Sequence, residues 1–492
     1  FNEYKIIYIN SLFQVVREHY LRDDVWCGYD KCTVCKGNNR VLENLTEIKS
    51  NLVPFPHHLV IDSNVAIHQI DLLSQDAITN VIIPQTVMHE VKHHSLAIYK
   101  RLRDLIETSA KHFYVFTNEH HGDCYIEREE KESVNDCNDR SIRIACWWYQ
   151  QHFSFYNQNV VLLTNDQSNK NKAKELELDA FTVQEYVEGL KDSGPLLDFV
   201  AQAEDSQDAD SNRKFIYSPH WSLVDIRSGI KKSKLKQGVL KTSTKNYLEA
   251  NVMVEGSEKS ILIQGRDNIN RALHDDVVAI QILPKEKWST PSTVVLDQQK
   301  QEEEKETGDD EGDNERQAMA KEEAILASGV GDGEKQPTGR VVGVIRRKWR
   351  QYCGIIKKSD ITQSTRHLFV PADKRIPFIR IETRQADALL NKRILVAIDS
   401  WPRDLKNPKG HFVRVIGEIG DKETENEVVL LEHDCPHTKF SESVLKCLPT
   451  MPWVITPKDE AVREDLRHLD VCSVDPIGCT DIDDALHCKQ LS

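Results

Sequence analysis

Between His58 and Tyr186 short apolar runs alternate with helical patterns, whereas beyond about residue 213 only short strand-like runs recur. That change of rhythm restricts the fold more than any other feature of the chain. The runs His58–Ile61, Val81–Ile83, Tyr114–Phe116 and Val160–Leu163 read as strands, with helices over Gln85–Leu105 and Asp139–His152. Strands alternating with helices predict an α/β fold, a parallel sheet with helices on both faces. Of the later strands, Gly238–Thr242, Ala250–Val254, Ile261–Ile263 and Val277–Leu283 form one block. Gly339–Ile345, Gly354–Ile356, Leu368–Val370, Phe378–Ile381, Ile394–Asp399 and Phe412–Glu418 form another. Two such blocks predict two small all-β barrels, with the OB or cold-shock type leading.

A chain of 492 residues exceeds what one core supports, so a multidomain protein is expected. The expected division is an N-terminal segment over 1–57, an α/β domain over 58–186, an acidic linker over 187–215 and a first barrel over 216–290. A disordered acidic linker (291–337), a second barrel (338–420), a connector (421–470) and the start of another domain (471–492) follow. The chain opens on Phe1 and stops at Ser492 within a motif, so both ends are expected to be cut edges.

The formal charge of −14 argues against nucleic acid only until it is located. Residues 301–335 carry 13 acids against 4 bases, and residues 198–210 carry five acids and no base, which together account for all of it. The remainder is balanced and compatible with RNA. The apolar stretches between Lys5 and Val16 are too short and broken to span a membrane, and no signal peptide is evident. Twelve scattered cysteines do not form a secreted disulfide framework, which points to a reducing compartment.

Asp62 follows the strand-like Leu59-Val60-Ile61, and Asp166 follows Val160–Leu163 through Thr164-Asn165. In a parallel sheet, groups just past the strand carboxyl ends converge on one crevice. Glu90 lies in the next helix, and Asp139 is expected to open another, with Asp136 just before it. Four acids on one rim would form a hard-oxygen cage for Mg²⁺ or Mn²⁺, which activates water for phosphodiester displacement. The plain alternative is that such acids only cap helices. The wording Val60-Ile61-Asp62-Ser63-Asn64 with Thr164-Asn165-Asp166 resembles the PIN nuclease family. The resemblance implies metal and catalytic roles for Asp62, Glu90, Asp139 and Asp166. His89-Glu90-Val91-Lys92-His93 also satisfies the zinc-protease pattern H-E-x-x-H, without an evident third ligand.

Cys27, Cys32 and Cys35 are spaced C-x₄-C-x₂-C, and three thiolates so close suit three corners of a structural Zn²⁺ site. His152, at the far end of the helix that carries Asp139, is the candidate fourth ligand. Its alternative is an ordinary helix-end cation. The preceding Val16-Arg17-Glu18-His19-Tyr20-Leu21-Arg22-Asp23-Asp24 resembles the entry to the three-cysteine motif of the exosome nuclease family, where it supports docking to the exosome core.

Single-stranded RNA is gripped by aromatic faces and by cations. The run Arg346-Arg347-Lys348-Trp349-Arg350-Gln351-Tyr352 interleaves both, giving Arg346, Arg347, Lys348, Trp349, Arg350 and Tyr352 as candidate RNA contacts. His367, Phe369, Phe378, Trp401, His411 and Phe412 add further aromatics, although aromatics in small barrels also serve as core. Asn270-Arg271-Ala272-Leu273-His274-Asp275-Asp276 resembles the N-R-A-x-H-G-D signature of cold-shock domains in the RNase II and RNase R superfamily, with Asp275 where that family has Gly.

Near the end, Asp475-Pro476-Ile477-Gly478-Cys479-Thr480-Asp481-Ile482-Asp483-Asp484 crowds four acids around a turn. Its D-x₅-D-x-D-D spacing resembles the RNase II active-site motif, with Ile477 replacing a Pro. The resemblance implies metal roles for Asp475, Asp481, Asp483 and Asp484, with Asp483 catalytic. The remainder of that domain would have to follow, so no processive exonuclease activity is expected from this portion.

Taken in order, the motifs resemble the exosome catalytic ribonuclease family over essentially the whole chain. That implies metal-dependent endonucleolytic cleavage of single-stranded RNA, with 3′-to-5′ hydrolytic exonuclease activity in a full-length protein. It further implies rRNA processing and RNA decay in the nucleus, including the nucleolus, and in the cytoplasm. Exosome core ring subunits are the expected protein partners, with neither a membrane nor DNA. The competing reading is a non-catalytic RNA-binding scaffold on the exosome core. A zinc protease is a weaker third.

Overall fold

The computed structural model describes residues 4–9, 12–17, 20–35, 37, 40–202, 215–254, 260–292, 321, 324, 334–357, 364–435, 437, 440, 442–488 and 490. The chain divides into two compact units, Phe1–Thr438 and Lys439–Ser492. Among the described residues no helix is long and apolar enough to cross a membrane. Most of the expected disordered stretch 291–337, and the acidic residues 203–214, lie outside the described residues.

An N-terminal hairpin pairs β1 (Tyr4–Ile9) with β2 (Leu12–Arg17). The α/β domain follows, with β3 (His57–Ile61), β4 (Val81–Pro84), β5 (Phe113–Phe116), β6 (Asn159–Leu163) and β7 (Asp179–Phe181) in one parallel sheet ordered β5-β4-β3-β6-β7. β3 and β4 are buried at every position, the continuous apolar character expected of strands covered on both faces. Helices α1 (Ser63–His68), α2 (Ile70–Leu73), α3 (Gln85–His94), α4 (Leu96–Glu107), α5 (Val134–Ser154), α6 (Gln167–Glu175) and α7 (Val183–Glu188) join the strands. Along α5, Ile142, Ala145, Cys146, Tyr149 and Phe153 recur at helical spacing and are buried in the domain core.

Two expected boundaries change. Ser95 adopts an extended backbone (φ −152°, ψ 115°) and its side chain caps α4, so Gln85–Leu105 is two helices. Ser133 caps α5, which starts at Val134, so Asp139 lies within the helix rather than opening it. The N-terminal segment is not separate either. Trp26, Cys27, Tyr29 and Leu42 belong to the α/β core, with Tyr29 against His58 and Phe153.

Helix α8 (Leu223–Lys231) precedes the first barrel, whose strands are β8 (Lys236–Thr242), β9 (Glu249–Val254), β10 (Ile261–Gln264), β11 (Val277–Ile282) and β12 (Gly339–Arg346). Their order is β10-β9-β8-β11-β12, and an isolated bridge between Leu262 and Thr338 brings the two edges together. Gly339–Arg346 was expected to open the second barrel. It pairs instead with β11, Ile280 opposite Val341, and contributes Val341 to the first core. The acidic stretch is thus an insertion within the first barrel, not a linker between two.

The second barrel closes in the order β13-β14-β15-β17-β16, from β13 (Gln351–Lys357), β14 (Arg366–Pro371), β15 (Ile379–Glu382), β16 (Lys392–Ser400) and β17 (Lys409–Glu418). Tyr352, Phe369, Ile379, Ile394, Val396 and Phe412 fill it. The helix Lys422–Glu432, in the expected connector, packs Val428 against Cys353, Leu395 and Val413. In the second unit, Val471–Cys472 pairs with Leu486–His487.

Residues 190–202 were expected as linker, yet they strap the α/β domain to the second barrel. Asp198, 1% exposed, accepts from Thr383 Oγ1 (2.7 Å) and Gln385 Nε2 (3.1 Å), while Gln69 exchanges two hydrogen bonds with the Ala201 backbone. Beside the strap, His411 Nδ1 lies 2.7 Å from Asp399 Oδ1 and Nε2 lies 3.3 Å from Asp71 Oδ2. Arg101 donates to the other Asp71 oxygen at 2.7 Å. Burial opposes a charge on His411, but Asp399 and Asp71 outweigh it and push its pKa up to about 10. His411, which its sequence neighbours group with aromatic RNA candidates, is therefore an interdomain ion. A histidine whose folded pKa exceeds its unfolded value of about 6.5 stabilises fully below that value and loses the contribution as pH rises through about 10. The stability gap between wild type and His411→Gln is expected to shrink steadily across that window in thermal melts. A gap independent of pH would show that His411 carries no proton-linked stability.

Candidate active site

The chain leaves β3 toward β4 on one side, and β6 toward β7 on the other, so the carboxyl ends of β3 and β6 flank the switch point of the sheet. Asp62 is the first residue past β3 and is 2% exposed. Its Oδ1 accepts from Ser63 N (2.6 Å), and its Oδ2 accepts from Thr164 Oγ1 (2.6 Å), Asn169 Nδ2 (2.9 Å) and Asn64 Nδ2 (3.0 Å). Burial lifts its pKa despite these bonds, and Glu90 adds to the rise. Asp166, just past β6, caps α6 by accepting from Ser168 N (2.7 Å) and Asn169 N (3.0 Å). Glu90, on α3, accepts from Asn138 Nδ2 at 2.6 Å and from Ser63 Oγ. Asp139, on α5, has its carboxyl pushed up to about 7 by burial and then by Asp62 and Asp166, against the pull of Arg143.

Four acids from four segments thus share one crevice and one another's field. Asp62 and Asp166 do cap helices, as the plain alternative held, but capping does not account for their mutual placement. Their oxygens do not close into a group as tight as 4.8 Å among the described residues. Of the residues that hold the acids, Thr164 lies in the motif already quoted, but Asn169, Asn138 and the Arg143 behind Asn169 were not singled out from sequence. Their signal lay in helical spacing, Asn169 three residues after Asp166 and Arg143 four after Asp139. The H-E-x-x-H reading finds no support here, since His89 Nδ1 sits 3.0 Å from Glu119 and His93 faces solvent.

At the other end of α5, one donor atom from each of Cys27, Cys32, Cys35 and His152 lies within 4.8 Å of the rest. His152 Nε2 is 3.3 Å from Cys32 Sγ and 3.7 Å from Cys35 Sγ. Ligands at ~2.3 Å (S) and ~2.0 Å (N) in a tetrahedron stand about 3.6 Å apart, so this set fits Zn²⁺ with little movement. The Cys27 thiol and the His152 imidazole hold Cys35 down at about 4 against its burial. Trp148 stacks on His152, ring centroids 4.8 Å apart and 9° from parallel.

Three family descriptions match the chain in order: a PIN domain over 59–184, an Rrp44-like cold shock domain over 214–348 and a Dis3-like cold-shock domain 2 over 366–434. The mouse exosome complex exonuclease RRP44 is 52% identical over 98% of this chain and 50% of its own length. The chain is homologous to the RRP44 exosome exonucleases. Human RRP44 is 50% identical over the same shares, and this chain spans about half the length of these relatives. The structure of the Trypanosoma brucei RRP44 PIN domain aligns at 27% identity with a TM-score of 0.30, covering 34% of this chain and 92% of that one. The Rrp44-like match runs past Gly339–Arg346, in keeping with the strand pairing that returns β12 to the first barrel.

The RRP44-like barrels correct the basic and aromatic candidates. Tyr352, 1% exposed, is core of the second barrel and offers no stacking face. Arg350 donates to Glu432 at 2.6 Å and lies over the Tyr352 ring. Arg347 donates to Arg271 O (2.5 Å) and to Asp276 Oδ2 (2.9 Å), and lies over Trp349, which is partly buried against the second core. The run 346–352 is a strut between barrels, and only Arg346 and Lys348 are exposed on it. In the second unit, Asp481, Asp483 and Asp484 are exposed and Asp475 half-buried, around a turn at Gly478 (φ +89°), without gathering into a metal group. Because Asp276 is wholly buried, Arg347→Ala would leave its carboxylate without a counter-charge, held only by the Leu273 and Lys348 N–H groups, and is expected to cost about 3 kcal/mol in urea unfolding. Arg346→Ala and Lys348→Ala are expected to leave stability within ~0.5 kcal/mol. A stability loss from either as large as that of Arg347→Ala would contradict the assignment of the strut.

Proposed function

We propose that the PIN domain cuts single-stranded RNA internally, using Mg²⁺ or Mn²⁺ held by Asp62, Glu90, Asp139 and Asp166. The observation that carries this reading is the convergence of Asp62 and Asp166 from neighbouring strand ends with Glu90 of α3 and Asp139 of α5, close enough that the other three acids help burial to raise the Asp139 carboxyl. A site that raises an acid so far is one whose charge a divalent cation relieves. The cation, when bound, supplies Lewis acidity and a water of lowered pKa. The chain's residues do the rest. Asp62 is fixed by four donors, Glu90 is held between Ser63 and Asn138, and Asp166 is held on the α6 N-terminus, so the donor oxygens are oriented before substrate arrives. The barrels, with exposed Arg346 and Lys348, would guide the strand.

The full-length protein, in this reading, adds 3′-to-5′ exonuclease chemistry to which Asp475, Asp481, Asp483 and Asp484 contribute carboxylates, with Asp483 catalytic. It would work in RNA processing and decay on the exosome core, in nucleus and cytoplasm. The cysteine cluster would hold structural Zn²⁺ and secure the N-terminal segment that docks there. The deciding assay is cleavage of a circular RNA with Mn²⁺. Wild type is expected to linearise it and Asp166→Asn to fall to background, whereas equal inactivity of both would favour the scaffold reading. Metal analysis is expected to find about one zinc per chain, lost with Cys32→Ser. Equal zinc in both proteins would exclude the cluster as its site.

A further inference from the structure

Resting on that nuclease reading, we infer that Arg143 is a positioning residue for the metal site, acting through Asn169 on Asp62. Asn169 is 1% exposed and lies between the two. Its Oδ1 accepts from Arg143 Nη1 at 2.5 Å, and its Nδ2 donates to Asp62 Oδ2 at 2.9 Å. An amide side chain has one accepting and one donating end, and arginine only donates. Arg143 and the acceptor-only Asp62 carboxylate therefore select the same orientation of Asn169, and Arg143 holds it from behind. Turned the other way, the amide would set its oxygen against Asp62 and withdraw one of the three donors on Oδ2. Arg143 is itself 6% exposed, so the relay runs through a dry interior where each bond is strong and each missing partner costly.

The relay also joins three elements. Arg143 projects from α5, one turn after Asp139; Asn169 sits on α6, one turn after the cap residue Asp166; and Asp62 ends β3. Three of the four acids are thereby referred to one another through one guanidinium and one amide. Hydrogen-bonded partners behind metal ligands act in this way, and their loss costs about 10–100-fold in metal affinity or activity.

Two other roles for a buried arginine here make opposite predictions. As a bare counter-charge it would compete with the metal, so its removal would tighten Mn²⁺ binding. As an RNA contact it would raise KM and leave metal affinity unchanged. The experiment measures Mn²⁺ affinity by electron paramagnetic resonance, counting only the signal that Asp166→Asn abolishes, alongside kcat and KM on circular RNA. Arg143→Met and Asn169→Ala are each expected to weaken Mn²⁺ binding by about 10–100-fold. The double variant should be no weaker than the worse single one, since both break the same relay. Arg143→Lys keeps a donor and should bind Mn²⁺ more tightly than Arg143→Met. Unchanged or tightened binding in Arg143→Met, or additive losses in the double variant, would overturn the inference. Should Arg143→Met not fold, Asn169→Ala decides, and unchanged affinity there also overturns it. A wild type that binds no Mn²⁺ removes the nuclease reading and the relay together, a result distinct from a wild type and variants that bind alike.

Discussion

Like charges in a buried crevice repel, and the α/β domain is organised around tolerating that repulsion. The groups that meet the four carboxylates are mostly neutral donors: the Ser63 and Thr164 hydroxyls, the Asn64, Asn138 and Asn169 amides, and backbone N–H groups at the starts of α1 and α6. Neutral donors fix a carboxylate without cancelling its charge. A ring of lysines would have held the acids as firmly and left no potential for a cation. Arg143, the cation that acts on Asp139, spends a guanidinium hydrogen bond on Asn169. The crevice therefore stays negative and its oxygens stay aimed, which are separate requirements met by separate groups.

The same helix that carries Asp139 ends at the cysteine cluster. Thirteen residues at ~1.5 Å rise separate Asp139 from His152 by roughly 20 Å. Between them the buried face of α5 packs into the domain core, so the helix is a rigid bar rather than a hinge. Tyr149, on that bar, donates to Cys27 O at 2.8 Å, and Tyr114 of β5 donates to Trp26 O at 2.5 Å. The cysteine segment is thus hydrogen-bonded to the domain through its backbone as well as through its thiols. A ligand in the cluster would fasten a segment that is already seated.

What could be read from sequence follows a physical pattern. Asp62 and Asp166 were legible because a strand's carboxyl end is marked by where its apolar run stops, and in a parallel sheet those ends share an edge. β7, at Asp179–Phe181, was not, because three residues at a sheet edge give no period to detect. β12 was misassigned for a different reason. Strand pairing disregards chain distance, and the long acidic insertion separates Gly339–Arg346 from its partner β11 by more sequence than separates it from β13. Asp198 and His411 were misread through composition, since an acid in a polar stretch resembles a solvated charge and a histidine beside Phe412 resembles a stacking face. Both are buried, and each has a partner in another domain, Thr383 and Gln385 for Asp198 and Asp71 for His411. No local window contains that information.

The cold-shock signature Asn270–Asp276 shows how a motif can be recognised correctly while its residues do something other than bind ligand. Asp276 accepts from Leu273 N (3.0 Å), Lys348 N (2.8 Å) and Arg347, which ties the turn of the first barrel to the strut leading into the second. Arg271 donates to Ser218 O and Trp401 O, and His274 accepts from Thr242 N at 3.0 Å while its other nitrogen meets Arg375 at 2.9 Å. Asp275 has φ +72°, a left-handed backbone that glycine adopts without strain, which explains the glycine of the family pattern. Aspartate is among the residues that tolerate this conformation, and here it also pairs with Lys241. Arg271, His274 and Asp276 thus each have a partner in the second barrel or in the strut leading to it, whereas Asp275 pairs within the first barrel. Through Arg271, His274 and Asp276 the motif specifies how two barrels are joined.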